Sequence, residues 1–205
     1  LGINWLDTSA AYGDAEDQIG AWGQLPSRRL NPDPVLVSDK LFPNLFDDPI
    51  SPMEVETRVL HEARLSLSKL VGQHRFGAYL AHSARYAFRP DVLAALLEVR
   101  AEWLSDWVGV SCYDPPEAVA AMAGGMDCLQ VPYSVLDRRF ESSGVFREAK
   151  DRGVTVFARQ PFLQGLLLMR PDEVPDHLAH TRDYVAQFRQ LCEWQGVEPV
   201  AAARH

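Results

Sequence analysis

The sequence lacks any apolar run near the ~20 residues that a membrane-spanning helix needs; stretches such as "FLQGLLLM" stop far short. It also lacks a Cys-x-x-Cys pair: its three cysteines are Cys112, Cys128 and Cys192. An odd count without that spacing and no secretory leader point to reduced thiols and a cytoplasmic location. No Lys/Arg stripe interrupts a balance of 20 basic and 28 acidic residues, net charge −8. The electrostatic footprint of a nucleic-acid binder is therefore missing. No Gly-x-Gly-x-x-Gly follows the first apolar run, which weighs against a dinucleotide-binding open sheet. No His-x-His or His-Glu-x-x-His spacing marks a metal site. Repeats and low-complexity segments are absent. There is no initiator Met, and Leu1-Gly2 reads as the interior of a protein, so residues are expected before Leu1.

What is present is ordinary globular composition, 47% hydrophobic and 23% charged over 205 residues. That length supports a single domain with a real core, spanning 1–205, and is short for two. Six apolar, β-rich runs recur: "INWL" (3–6), "VLVS" (35–38), "FGAYL" (76–80), "WVGVS" (107–111), "DCLQV" (127–131) and "VTVFA" (154–158). None alternates cleanly, as expected of parallel strands buried on both faces. Helical patterns separate them. Residues 52–71 place Val55, Val59, Ala63, Leu67 and Leu70 on one stripe, with Ser51 as cap and Pro52 in the first turn. Further helices are expected at 90–102, 115–123, 143–151 (ending at Gly153) and 181–195, the last with Tyr184, Phe188, Leu191 and Trp194 on one face.

Alternation of strand and helix indicates a parallel α/β architecture. A (β/α)8 TIM barrel needs eight units and typically about 250 residues. Six are visible, so the barrel reads as incomplete, with its first and last strands expected outside this chain. Its open edges would then need an oligomer or a partner chain to cover them.

In such a barrel the functional groups sit at the C-terminal ends of the strands. Here successive strands finish on Asp7, Lys40, His82, Ser111-Cys112 and Gln130, and Tyr12 follows Asp7 by five residues. Singly, each has a plain structural explanation: a helix cap for Asp7, a core aromatic for Tyr12, a solvated charge for Lys40. Together they supply the parts of proton transfer to a carbonyl. A tyrosine is a weak acid at neutral pH. A nearby ammonium favours its phenolate and lowers its pKa, a carboxylate holds that ammonium, and a histidine orients the carbonyl. A reduction would also require a nicotinamide cofactor, because the protein has no hydride of its own.

These segments resemble the aldo-keto reductase family. "GINWLDTSAAYGDAEDQIG" is similar to its signature G-[IV]-[RN]-x-[IFL]-D-T-A-x-x-Y-G-x-x-E-x-x-[IL]-G. "VLVSDK" resembles the strand of its lysine, with Asp39 where Thr is usual, and "YLAHS" that of its histidine. "VGVSCY" has Cys112 in place of Asn; "DCLQVPYSVLDRR" and "GVTVFARQPFLQGLL" resemble the two strands that follow. The resemblance implies an eight-stranded barrel using NADPH or NADH, Tyr12 as general acid, and Asp7, Lys40 and His82 in the roles above. It implies that Ser111 and Gln130 hold the nicotinamide carboxamide and that Pro161, Leu163 and Gly165 lie along the pyrophosphate. Arg159 occupies the position of the family's ring-stacking Tyr, where a cation disfavours the oxidised ring. A finer similarity, over 133–168, is to a bacterial branch found near sugar-modification genes and suggests a sugar-like carbonyl. Two other readings stay open: a binding or regulatory module without turnover, motivated by Arg159 and Cys112, and a metal-dependent hydrolase using Asp7, His61 or His82.

Overall fold

The computed structural model describes residues 3–25, 35–46 and 50–203; Leu1 and Gly2, where the first motif begins, lie outside them. Six strands form one sheet: β1 (Trp5–Asp7), β2 (Leu36–Leu41), β3 (Phe76–Ala81), β4 (Ser105–Ser111), β5 (Cys128–Pro132) and β6 (Thr155–Arg159). They pair in sequential order, every pair parallel. Each falls within about three residues of the apolar run that marks it in the sequence, because a doubly buried strand leaves a signal that helices do not dilute.

The sheet is curled. Laid flat, β1 and β6 would be five strand spacings apart, on the order of 24 Å. Instead the Trp5 ring of β1 lies 5.0 Å from Phe157 of β6 and 5.7 Å from Trp107 of β4, centroid to centroid. Ala78, Leu80 and Cys128 fill the space beside these rings. The interior of an incomplete (β/α)8 barrel is thus packed by side chains from facing strands.

On the outer face of the sheet, Val37, Tyr79, Val108, Val110, Leu129 and Val131 pack against helices. These are α1 (Ala15–Gly23), α2 (Pro52–Lys69), α3 (Pro90–Ala101), α4 (Pro115–Ala123), the short α5 (Arg139–Ser142), α6 (Val145–Arg152), α7 (Arg182–Gln195) and the short α8 (Pro199–Ala202). The Ser51 hydroxyl accepts the Glu54 N–H at 3.3 Å, as its capping position requires. The α2 stripe is buried at Val55, Val59, Ala63 and Leu70. Among the described residues no helix is long and apolar enough to cross a membrane.

The helix expected at 143–151 forms as α6, with Gly153 as its left-handed C-terminal cap at φ 70°. One helical expectation needs correction. On α7, Phe188 is buried as expected, but Tyr184, Leu191 and Trp194 are 56%, 54% and 79% exposed. The buried face is instead Val185, Phe188 and Cys192. Leu167 and Ala203 pack against the Phe188–Cys192 side. Leu191 and Cys192 both fit a helical stripe with Phe188, so the position of the neighbours decided between them.

Candidate active site

Successive side chains of a strand point to opposite faces. On β2 this sends Ser38 and Lys40 into the barrel and Asp39 out toward α1. Lys40 is only 1% exposed, so its ammonium must be paired. It donates to Asp7 Oδ2 at 2.8 Å and to the Thr8 carbonyl at 2.6 Å. The other Asp7 oxygen, Oδ1, accepts from the Ser38 hydroxyl at 2.6 Å and from Gln130 Nε2 at 2.9 Å. Three strands therefore fix one carboxylate, and that carboxylate fixes the lysine.

Tyr12 stands over this group. Lys40 Nζ lies 5.1 Å from the centre of its ring. His82, just past β3, meets the same ring edge-on at 5.6 Å and 88°. The four residues that the sequence grouped are therefore brought to one mouth. Their electrostatics differ from expectation at one point. The Tyr12 phenol is held above its ordinary pKa, chiefly by burial and then by the Asp7 carboxylate and Tyr113, with the Arg159 guanidinium opposing. The expected lowering by Lys40 fails because the ammonium faces the ring and is already bound to Asp7 and Thr8. His82 is held below its usual value by burial and by the Lys40 and Arg159 charges, against the pull of Asp7. The site thus holds a protonated phenol beside a neutral imidazole at neutral pH.

Gln130 and Ser111 meet at 3.4 Å, Oε1 to Oγ. Arg159, at the end of β6, lies 4.4 Å over the Tyr113 ring, and its Nη2 donates to the Cys112 carbonyl at 3.3 Å. Its Nε is buried without a hydrogen-bond partner among the described residues. The Cys112 thiol is pushed up to about 12 by burial, which leaves it an inert core group. Pro161 lines a cavity of about 560 Å³ with Tyr133, Ser134 and Arg138. Leu163 and Gly165 follow on a segment with left-handed backbone, φ 47° and 95°. A second cavity of about 560 Å³ runs along α1 beside Asp7 and Tyr12, walled by Ile19 and Trp22. His61 is exposed on α2, apart from the mouth. Among the described residues no three His, Cys, Asp or Glu side chains gather as metal ligands would.

Two working parts escaped the sequence reading. Ser38 sits two residues before Lys40, so strand alternation already put both on one face. Ser9 is fully buried and its hydroxyl lies 2.9 Å from His82 Nδ1. A serine in a loop gives no comparable signal.

A family model described as the aldo/keto reductase family matches residues 1–204. No curated protein matches the chain. Among solved structures, the holo form of an aldo-keto reductase from Bacillus halodurans is 23% identical with a TM-score of 0.64, covering 85% of this chain and 57% of its own. An aldo/keto reductase from Klebsiella pneumoniae in complex with NADP and acetate is 20% identical with a TM-score of 0.65, covering 97% and 63%. An aldo-keto reductase from Klebsiella pneumoniae in complex with NADPH is 21% identical with a TM-score of 0.61, covering 80% and 55%. The chain thus spans less than two thirds of the length of each of these structures.

Proposed function

The chain belongs to the aldo/keto reductase family, and from that premise we propose that it reduces an aldehyde, ketone or sugar-like carbonyl with NADPH or NADH. The observation that carries this reading is the grouping of Asp7, Lys40, Tyr12 and His82 at one mouth of the curled sheet. Tyr12 is the general acid: its phenol keeps its proton at neutral pH and can give it to a carbonyl oxygen as that oxygen gains charge. Asp7 holds the Lys40 ammonium against the face of the Tyr12 ring, and together they fix where the phenol stands. His82 orients the carbonyl by hydrogen bonding.

The donor set fits a nicotinamide nucleotide. Ser111 and Gln130 offer carboxamide partners, and the orphaned Arg159 Nε–H offers a donor at the same mouth. Pro161, Leu163 and Gly165 follow on the segment that would run beside the phosphates, where left-handed backbone turns amide groups toward an anion. When bound, the cofactor supplies the hydride. Three free, buried thiols suit a reducing cytoplasm.

Oxidation of NADPH and NADH against aldehydes, ketones and sugar carbonyls tests the reading. Tyr12→Phe is expected to lower turnover by about 10²- to 10⁴-fold while nucleotide binding persists. Turnover that survives Tyr12→Phe overturns the proposed acid. A second reading, nucleotide binding without turnover, is favoured by Arg159, which stands where the family's ring-stacking Tyr is expected and is held there by the Cys112 carbonyl. Calorimetric NADPH binding with no turnover on any carbonyl would select it.

A further inference from the structure

Ser9 has 0% exposure, and its hydroxyl oxygen has three polar neighbours. The Ala11 N–H donates to it at 3.1 Å. His82 Nδ1 lies at 2.9 Å, and the Lys40 carbonyl at 3.5 Å. A hydroxyl has one proton to give and two lone pairs. Two arrangements follow. In one, Ser9 donates to Nδ1, and the imidazole proton is on Nε2. In the other, Nδ1–H donates to Ser9, and the hydroxyl proton must turn to the Lys40 carbonyl.

Geometry separates them. Hydroxyl hydrogen bonds cluster near 2.7–2.8 Å and weaken at longer range. The Lys40 carbonyl is at the outer limit, and it already accepts the Ala10 N–H at 3.2 Å. Donation to Nδ1 uses the short contact and leaves no group unserved. The doubly protonated ring is disfavoured too, because burial and the Lys40 and Arg159 charges work against an imidazolium here. Nε2, across the ring from Ser9, has no hydrogen-bond partner among the described residues and is not among the buried unpaired atoms.

We infer that Ser9 is a positioning residue that holds His82 in the tautomer protonated on Nε2, so that the imidazole presents an N–H donor at the mouth beside Tyr12. A carbonyl oxygen needs a donor there, and a ring protonated on Nδ1 would face it with a lone pair. The tautomer itself does not depend on the proposed reduction; only its use does.

Long-range ¹H–¹⁵N correlation of the imidazoles in the labelled chain at neutral pH tests this, with His82→Gln identifying the His82 signals. The expected pattern is a protonated Nε2 and an unprotonated Nδ1. In Ser9→Ala the Nδ1 nitrogen is expected to gain protonated character while far-ultraviolet dichroism stays unchanged. A wild-type ring protonated on Nδ1 overturns the inference, as does a tautomer indifferent to Ser9→Ala. If Ser9→Ala fails to fold, the wild-type spectrum still decides. Turnover should fall roughly tenfold in Ser9→Ala, the worth of about one hydrogen bond, and not fall further when Ser9→Ala is added to His82→Gln. Absence of turnover in the wild type, with the tautomer as stated, would fail the proposed function and leave this inference standing.

Discussion

At the scale of single residues, the two neighbours Asp39 and Lys40 have opposite fates. Lys40 enters the barrel and finds Asp7. Asp39 points outward, is fully buried, and faces Glu16 beneath Tyr79. Lys69 reaches Glu16 at 2.6 Å and holds that carboxyl below its usual range despite burial. Asp39 Oδ1 accepts the Lys40 backbone N–H at 2.7 Å, and its carboxyl faces that of Glu16. Burial, with Glu16 adding to it, pushes Asp39 up to about 8. Asp39 Oδ2 and Glu16 Oε1 both lack a donor as carboxylates, a deficit that one shared proton removes. The sign for stability follows. Between about pH 4 and 8 the folded chain binds a proton that the unfolded chain has released, so stability falls as pH rises through that window. Above it the fold carries an unpaired buried charge. Asp39→Asn is therefore expected to melt higher than the wild type at pH 9, by the equivalent of about 1–3 kcal/mol, with the gap narrowing toward pH 5. Melting curves at both pH values check this, and a gap that ignores pH contradicts it.

Elements carry the site by where they are anchored. The loop of Ser9 and Tyr12 ends in α1, and α1 is pinned to the end of α2. At Gly20 an added Cβ would lie 2.2 Å from the Lys69 carbonyl oxygen and 2.9 Å from the Val71 nitrogen. The helices cross on bare backbone, next to the Glu16–Lys69 ion pair. Gly20→Ala is expected to cost about 1–3 kcal/mol through overpacking, read as a lower urea midpoint, and to weaken the set of Tyr12 over Lys40. A midpoint equal to that of the wild type would mean α1 is free to shift. The elements also show what a sequence conveys. Strands β1 to β6 were legible because apolar runs ending on polar residues stand out. The α2 stripe was legible because its period is unbroken. α1, with the sequence AEDQIGAWG, buries only Glu16 and Gly20, neither of them apolar in the usual sense of a helix stripe. It could be inferred from its contacts with α2, not from periodicity. Of the site, Asp7, Tyr12, Lys40 and His82 were visible at strand ends, whereas Ser9 and Ser38 acquire meaning only from the partner that folding brings to them.

For the whole molecule, the decisive feature is the curl that sets the rings of Trp5, Trp107 and Phe157 against one another. These rings pack on one another inside the curl, although Trp107 stays 37% exposed, so flattening the sheet would part them. Phe157→Ala is expected to destabilise the fold by about 3 kcal/mol and to diminish the near-ultraviolet dichroism of the paired indoles. If melting temperature and dichroism both stay as in the wild type, the curl is held by something other than this packing. The same curl decides the order in which the site is completed. Neighbouring strands are joined by crossovers that carry helices, and their pairings can close one after another. The bond from Gln130 to Asp7 joins residues 123 positions apart and crosses from β5 to β1. Long closures are the slow ones. In refolding time, then, helical signal is expected to return first, and the proposed nucleotide binding only when the last of the curl has formed.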